Sequence, residues 1–392
     1  MRHIGTQAFG IRLPVISRGD DVAAIVAVSL HDSLRAHGIS LRSTDVVGVT
    51  EALIAKAQGN FATLEHIAED IRRKFPGGVV GLVFPILSRN RFVNILRGIS
   101  RGAQKVYVLL QYPSDEVGNP IMNPEDMDMI QDTGKNFFSA EEFRKLTGPY
   151  RHPFTGLDYI ALYEEAGDNI DVYISSDPRQ ILQLARHVLI GEIHSRMRTK
   201  KRLEKAGAAS VYTLSDILSA PLEGSGYNPS YGILGSNLST GEELKLFPRD
   251  CEEFVQTVRG KITEKCGVSP EVLIYGDGAF KDPLAGIWEL ADPVVSPAFT
   301  EGLKGRPREI KMKYVADNVF QNLRGEEKTA AVTEMIREKH RDSSKDISGE
   351  GTTPRNYVDL LGSLCDLISG SGDKGTPVVL IQGYFDDYSV DE

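Results

Sequence analysis

Cysteine is scarce in this chain. Cys251, Cys266 and Cys365 are the only three in 392 residues, too few and too scattered for a disulfide framework or a paired-cysteine metal site. The eight histidines are dispersed, and no His/Cys grouping has zinc-ligand spacing. Long apolar runs are missing too, since none approaches the roughly 18 residues of a membrane-spanning helix. No GxSxG elbow supports hydrolase chemistry of that type. Positive charge is in deficit: 45 Lys and Arg face 54 Asp and Glu, a formal net charge of −9. The chain as a whole therefore has no general attraction to nucleic acid or to an anionic membrane. The opening stretch, MRHIGTQAFGIRLPVI, lacks the apolar core and small-residue cleavage site of a signal peptide. A cytoplasmic location is expected.

What is present is an ordinary soluble composition on a chain long enough for two or three domains and a sizeable core. Residues 1–85 alternate helix and strand. DDVAAIVAVSLHDSLRAHG has helical apolar spacing with Asp20 or Asp21 as cap, and GVVGLVFPIL reads as a buried strand. DVVGVTEALIAKAQG reads as a strand running into a loop. Residues 86–225 differ in texture. The pattern predicts one long helix over DPRQILQLARHVLIGEIHSRMRTKKRLEKAG, whose basic end suits a helix C-terminus and reads as a solvated face. Residues 226–392 return to strands and glycine-rich loops: YNPSYGILGSNLSTGEELKLFPRD is loop-like, FVQTVRGKITEKCG helical. The polar stretch 341–354 reads as a flexible surface loop.

Several constellations are candidates for chemistry. Asp277 lies between two glycines at a strand end, followed by Asp282, which suits Mg²⁺ or Mn²⁺ beside phosphate; the plainer reading is a tight turn. Lys56 precedes Gly59 and is either a point charge for a phosphate or a surface lysine. Arg89, Asn90 and Arg91 open a helix, as an anion grip for carboxylate or phosphate or as a salt-bridged helix start. Ser114, Asp115, Glu116 and Asn119 suggest a capped turn before metal or amine recognition. His152 reads as structural. Near the C-terminus, LISGSGDKGTPVVLIQGY has GxGxxG spacing through Gly370, Gly372 and Gly375, but a helix precedes it and a strand follows. That order excludes a dinucleotide fingerprint or a P-loop, both of which leave a strand and enter a helix. It also removes the support for an oxidoreductase.

Taken in order, these pieces resemble the coenzyme F420-0:L-glutamate ligase, or γ-glutamyl ligase, family. GIRLPVISRGDD is similar to the family's GLPLIKEGDD, which lines the nucleotide, so Leu13, Pro14, Val15 and Ile16 carry that role over. IAKAQG resembles ISKAEG, which puts Lys56 on nucleotide phosphate. YGILGSN resembles NAGIDASN, aligning Asn237 with a nucleotide contact, and IYGDG resembles ITDTNGR, aligning Asp277 with a metal-binding aspartate. SGSGDKGTPVVLIQG resembles MGEGGDGIPAVVVRG, so Gly370, Gly372, Asp373 and Gly375 lie on the nucleotide. The resemblance departs at four places. Leu234 stands at the family's first metal aspartate, Gly278 at a threonine, Glu51-Ala52 at a Ser-Thr pair, and Gln58 at the KAEG glutamate. Asp282, Glu51, Glu242 and Glu243 are the nearby carboxylates that can substitute.

The resemblance implies an α+β protein with a two-lobed mixed-sheet fold that forms a homodimer. Residues 1–85 and 226–392 would form the ligase-like core, and 86–225 an inserted α/β region. It implies a ligase that uses GTP (or ATP) with Mg²⁺ or Mn²⁺ to activate a carboxylate as an acyl phosphate for attack by the amine of L-glutamate. Lys56 and Asp277 would be catalytic, Asp277 and Asp282 would hold metal, and Arg89, Asn90 and Arg91 would hold the acceptor's carboxylate or a phosphate. The acceptor can be F420-0, a folate or another small carboxylate. The alternative is a nucleotide-binding regulatory or scaffold protein that keeps the fold without ligase activity.

Overall fold

The computed structural model describes residues 4–88, 91–148, 157–276, 279–281, 288–290, 296–305, 311–339, 356–370 and 372–387. Arg89, Asn90, His152, Asp277, Gly278, Asp282 and the 341–354 stretch lie outside the described residues.

The first part of the chain forms β1 (Gln7–Ile11), α1 (Val22–His37), β2 (Val46–Thr50), α2 (Glu51–Gln58), β3 (Phe61–Thr63) and α3 (Leu64–Lys74). Asp21 caps α1, its carboxylate accepting the Ala24 N–H at 2.9 Å. Then come β4 (Val79–Val83), α4 (Phe92–Gly102), β5 (Lys105–Leu110), α5 (Pro124–Asp132), β6 (Phe137–Ser139), α6 (Ala140–Thr147), α7 (Tyr159–Glu164), β7 (Ile170–Ser175), β8 (His187–Ile190), α8 (Arg196–Lys205) and β9 (Ser210–Thr213). The remainder is β10 (Asn237–Thr240), β11 (Glu243–Lys245), α9 (Cys251–Cys266), β12 (Glu271–Tyr275), β13 (Ala279–Lys281), β14 (Trp288–Leu290), α10 (Met312–Tyr314), α11 (Gly325–Lys339), α12 (Tyr357–Ser369) and β15 (Val378–Gln382).

The protein is mixed α/β with several sheets. One has the order β1-β15-β2-β12, in which β15 runs antiparallel to both neighbours and β12 runs parallel to β2. It joins the two ends of the sequence. On one face Val47, Val49 and Leu380 pack with Val26 and Leu30 of α1 and Val258 of α9. On the other, Val46, Val379 and Ile381 pack with Leu361 and Cys365 of α12. Gly48 permits that close approach, because a Cβ there would stand 2.4 Å from Cys365 Sγ.

A second sheet has the order β6-β7-β5-β4-β8-β9 and is parallel except for β6. The order reverses between β4 and β8, the mark of a doubly wound sheet. One face is covered by α3, α4 and α7, the other by Ile181 of a short 3₁₀ turn and Leu203 of α8. Helices α3 and α4 touch closely at Gly102, where a Cβ would meet the Ala68 carbonyl at 2.5 Å. A third sheet, β10-β11-β3, lies beside α3, and β13 pairs antiparallel with β14.

Three local expectations are corrected. The long helix over 177–207 is instead a 3₁₀ turn (Pro178–Gln183), then β8, then α8. His187–Ile190 carries the buried apolar run HVLI, and a run that short satisfies helix and strand patterns alike. The residues after β2 are not a loop: Thr50 ends the strand and α2 begins at once, carrying Lys56 in its last turn. The 226–250 stretch is not all loop, since it contains the β10–β11 pair.

Candidate nucleotide cleft

The ends of β2, β12 and β15 create a cleft of about 440 Å³. Its base is set by hydrogen bonds that fix the turn before β15. The Thr50 N–H donates to the Pro377 carbonyl at 3.0 Å, and the Leu13 N–H to the Gly375 carbonyl at 3.2 Å. The Tyr275 hydroxyl also donates to the Pro377 carbonyl, at 3.2 Å, and Thr376 Oγ1 donates to the Ser369 carbonyl at 2.9 Å. Gly370 ends α12 with φ 62°, and Gly375 has φ 65°, both in the region that side chains resist. Between them Gly372–Lys374 makes one 3₁₀ turn.

This packing brings together residues from both ends of the sequence. Leu13, Pro14, Val15, Ile16, Lys56, Gly370 and Gly375 line the cleft, joined by Thr50, Ala52, Leu53, Tyr275, Asp366, Ser369, Thr376 and Pro377. Lys56 is exposed and forms no ion pair among the described residues. Asp366 is half-buried and is the one acidic residue among the described lining residues. Sequence reasoning missed Thr50, Tyr275 and Asp366. They reach the cleft through the register Thr50↔Tyr275 and through α12, which no local pattern encodes.

Other expected residues lie apart from this lining. Gly372 and Asp373 belong to the 3₁₀ turn, with Asp373 exposed. Asn237 opens β10 opposite Lys245, which pairs at 2.9 Å with the buried Glu51 at the start of α2. Gln58 is engaged at both ends of its amide by the Arg249 backbone, at 2.7 and 2.9 Å. Arg91 caps α4, its N–H donating to Ser88 Oγ at 3.0 Å. With Phe92, Gly191, Leu234 and Ser236 it lines a small cavity of about 20 Å³ beside the six-stranded sheet. Leu234 is 1% exposed within that apolar core, so the position where the family has a metal aspartate serves packing in this chain.

Among the candidate substitute ligands, Glu51 is paired with Lys245, Glu242 is paired with Arg101 at 2.6 Å, and Glu243 lies in β11. Among the described residues no group of three metal-ligating side chains gathers.

The YPSDEVGNP segment is a capped turn. Asp115, 6% exposed, accepts hydrogen bonds from the N–H groups of Leu87, Val117 and Asn119 and from the Asn119 amide, at 2.8–3.1 Å. Burial pushes its carboxyl up to about 6 against those bonds. Its neighbour Glu116 reaches the start of α8 and accepts from the N–H groups of Ile193, His194 and Ser195. A carboxylate of the chain itself thus occupies the helix end where a doubly wound sheet would otherwise offer an anion site.

The sequence model of the F420-0:gamma-glutamyl ligase family matches residues 10–383. The chain belongs to this family. The match runs across residues 86–225 as well as the two ends. Membership in a ligase family supports an enzyme that forms amide bonds. No curated protein gives a significant match. Among the described residues, no helix is long and apolar enough to cross a membrane.

Proposed function

We propose that the chain is an NTP-dependent γ-glutamyl ligase. The acceptor's carboxylate oxygen attacks the γ-phosphorus of GTP or ATP, releasing the nucleoside diphosphate and leaving an acyl phosphate. The amine of L-glutamate then attacks the acyl carbon. Phosphate departs, the nitrogen loses a proton, and an amide remains. Such chemistry needs positive charge on the transferring phosphoryl group and backbone N–H groups around the phosphates. Lys56 and the turn from Gly370 through Gly372 and Asp373 to Gly375 are assigned those parts, with Leu13–Ile16 and Asn237 on the rest of the nucleotide. Arg89, Asn90 and Arg91 are assigned the acceptor's carboxylate. A divalent cation, Mg²⁺ or Mn²⁺, belongs to the proposal through Asp277 and Asp282, and the steps above do not depend on it. The enclosing fold is read as two-lobed and homodimeric, with 86–225 elaborating one lobe and 1–85 and 226–392 forming the core.

The observation that supports this reading is the convergence of Leu13–Ile16, Lys56, Gly370 and Gly375 on one cleft. Calorimetry of GTP and ATP with Mn²⁺ present tests it. The wild type binds at least one of them, and Lys56→Ala weakens binding roughly ten- to hundredfold through loss of a charge-assisted contact. Absence of nucleotide binding by the wild type refutes it. Leu234 in the apolar core favours a second reading, a nucleotide-binding regulatory protein without ligase activity. Phosphate release that depends on L-glutamate and a carboxylate acceptor, F420-0 or a folate, separates the two.

A further inference from the structure

We infer that the basic face of α8 docks on a second copy of this chain, over an acid-lined cavity at the start of α1. Six of the ten residues of α8 are Lys or Arg and one is acidic, in a chain whose net charge is −9. Cations suit the end of a helix, but Arg196 and Arg198 stand in the first turn, where the helix dipole opposes them. Thr199 and Leu203 are buried against the sheet. Met197, Lys201 and Lys205, spaced by four, therefore form an exposed row with Arg198 beside it. Like charges one turn apart repel each other. Arg202 is paired with Asp177 at 3.1 Å, whereas Arg198, Lys200, Lys201 and Lys205 form no ion pair among the described residues. Met197 is 54% exposed amid this charge. Such a face calls for a partner that is anionic around an apolar spot.

The chain itself carries a surface of that kind. A cavity of about 400 Å³ opens between the starts of α1 and α9 and the last turn of α2. It is separate from the nucleotide cleft, since α2 turns Leu53 and Lys56 to the cleft but Ile54, Ala57 and Gln58 to the cavity. Val22, Ile54 and Phe254 give it an apolar floor. Asp20, Asp21, Asp250 and Glu253 line it, and no Lys or Arg does among the described residues. Asp20 and Asp21 are engaged locally, Asp20 accepting the Ser17 N–H at 2.7 Å and Asp21 pairing with Lys261 at 3.3 Å. The side chains of Asp250 and Glu253 form no hydrogen bond or ion pair among the described residues. An unbranched methionine adapts to an irregular apolar floor, and the cations beside it meet the carboxylates. Charge complementarity selects a second copy over nucleic acid or an anionic membrane, both of which the net negative charge of the chain repels. A two-fold axis makes the contact twice, each copy offering its α8 and receiving its partner's.

The inference deepens the homodimeric reading and rests on it, while the ligase reading is untouched by its outcome. Analytical ultracentrifugation of the full chain at low salt tests it. The wild type is expected to sediment as a dimer of the 43.1 kDa chain. Lys201→Glu/Lys205→Glu reverses the helix, and Glu253→Lys/Thr257→Lys reverses the cavity wall on α9. Each double variant alone weakens the dimer at least roughly tenfold. Mixed, the two regain most of the association, because reversed helix meets reversed cavity, and this also shows that both are folded. A wild-type dimer that neither variant weakens overturns the inference and leaves the homodimeric reading standing. Weakened variants whose mixture gains nothing overturn it as well. A wild type that stays monomeric at roughly 0.1 mM overturns both. A monomer that binds single-stranded RNA or phosphatidylserine vesicles, with binding lost in the helix variant, gives the face another occupant and also overturns the inference.

Discussion

Replacing Asp115 by asparagine should flatten part of the pH dependence of folding. The carboxyl is held at about 6 by burial, against an ordinary 3.8. The folded chain therefore keeps this proton to higher pH than the unfolded chain does. Between those two values stability falls as pH rises, and the loss is complete above the folded value. At about 1.4 kcal/mol for each tenfold change in proton affinity, the loss is about 3 kcal/mol. The amide of the variant does not titrate, so its cost or benefit is constant with pH. Urea unfolding followed by circular dichroism at pH 3.5 to 7 gives both stabilities. The wild-type value minus the variant value should decline by about 3 kcal/mol across that window, whatever the other carboxylates contribute. A difference that stays flat, or rises with pH, would show that the hydrogen bonds to Asp115 outweigh its burial. Glu192, also raised by burial and with Glu116 nearby, adds a contribution of the same sign that cancels in the subtraction.

Two other changes probe the frame of the cleft. Gly48→Ala puts a Cβ 2.4 Å from Cys365 Sγ and should destabilise by about 1–3 kcal/mol. Cys365→Ala in the same chain should recover much of that loss in thermal melts, and a neutral single variant would mean that α12 does not press on β2 as described. Lys245→Met leaves Glu51, 2% exposed, without that cation and should cost about 3–5 kcal/mol. The double variant Glu51→Gln/Lys245→Met should unfold at higher urea than Lys245→Met alone, and a double variant no better than the single would refute the pairing.

Much of the local structure is visible in the residues. Asp21 before an apolar-periodic run marks the start of α1, and the order of α12, glycine turn and β15 is readable from 357 to 382. The β8 strand is not, because HVLI sits inside a stretch whose spacing also suits a helix. Four lining segments of the cleft, Leu13–Ile16, Lys56, Gly370 and Gly375, are legible through resemblance. Asp366 is not, since its place in the lining depends on where α12 ends in space. Glu116 illustrates the same limit: its partners just before α8 lie 77 to 79 residues away, and only the closure of the parallel sheet brings them within reach. Leu234 shows the converse. The departure is plain in the sequence, but its meaning, a side chain in the core beside the six-stranded sheet, comes from the fold.

The amides of Leu13 and Thr50 both donate to carbonyls of the 375–377 turn. They sit in two strand-end segments far apart in sequence, yet neither can trade its hydrogen for deuterium until the turn lifts away. Isotope exchange at these two positions thus gauges how often the floor of the cleft comes undone, and any compound that seats there slows both clocks together.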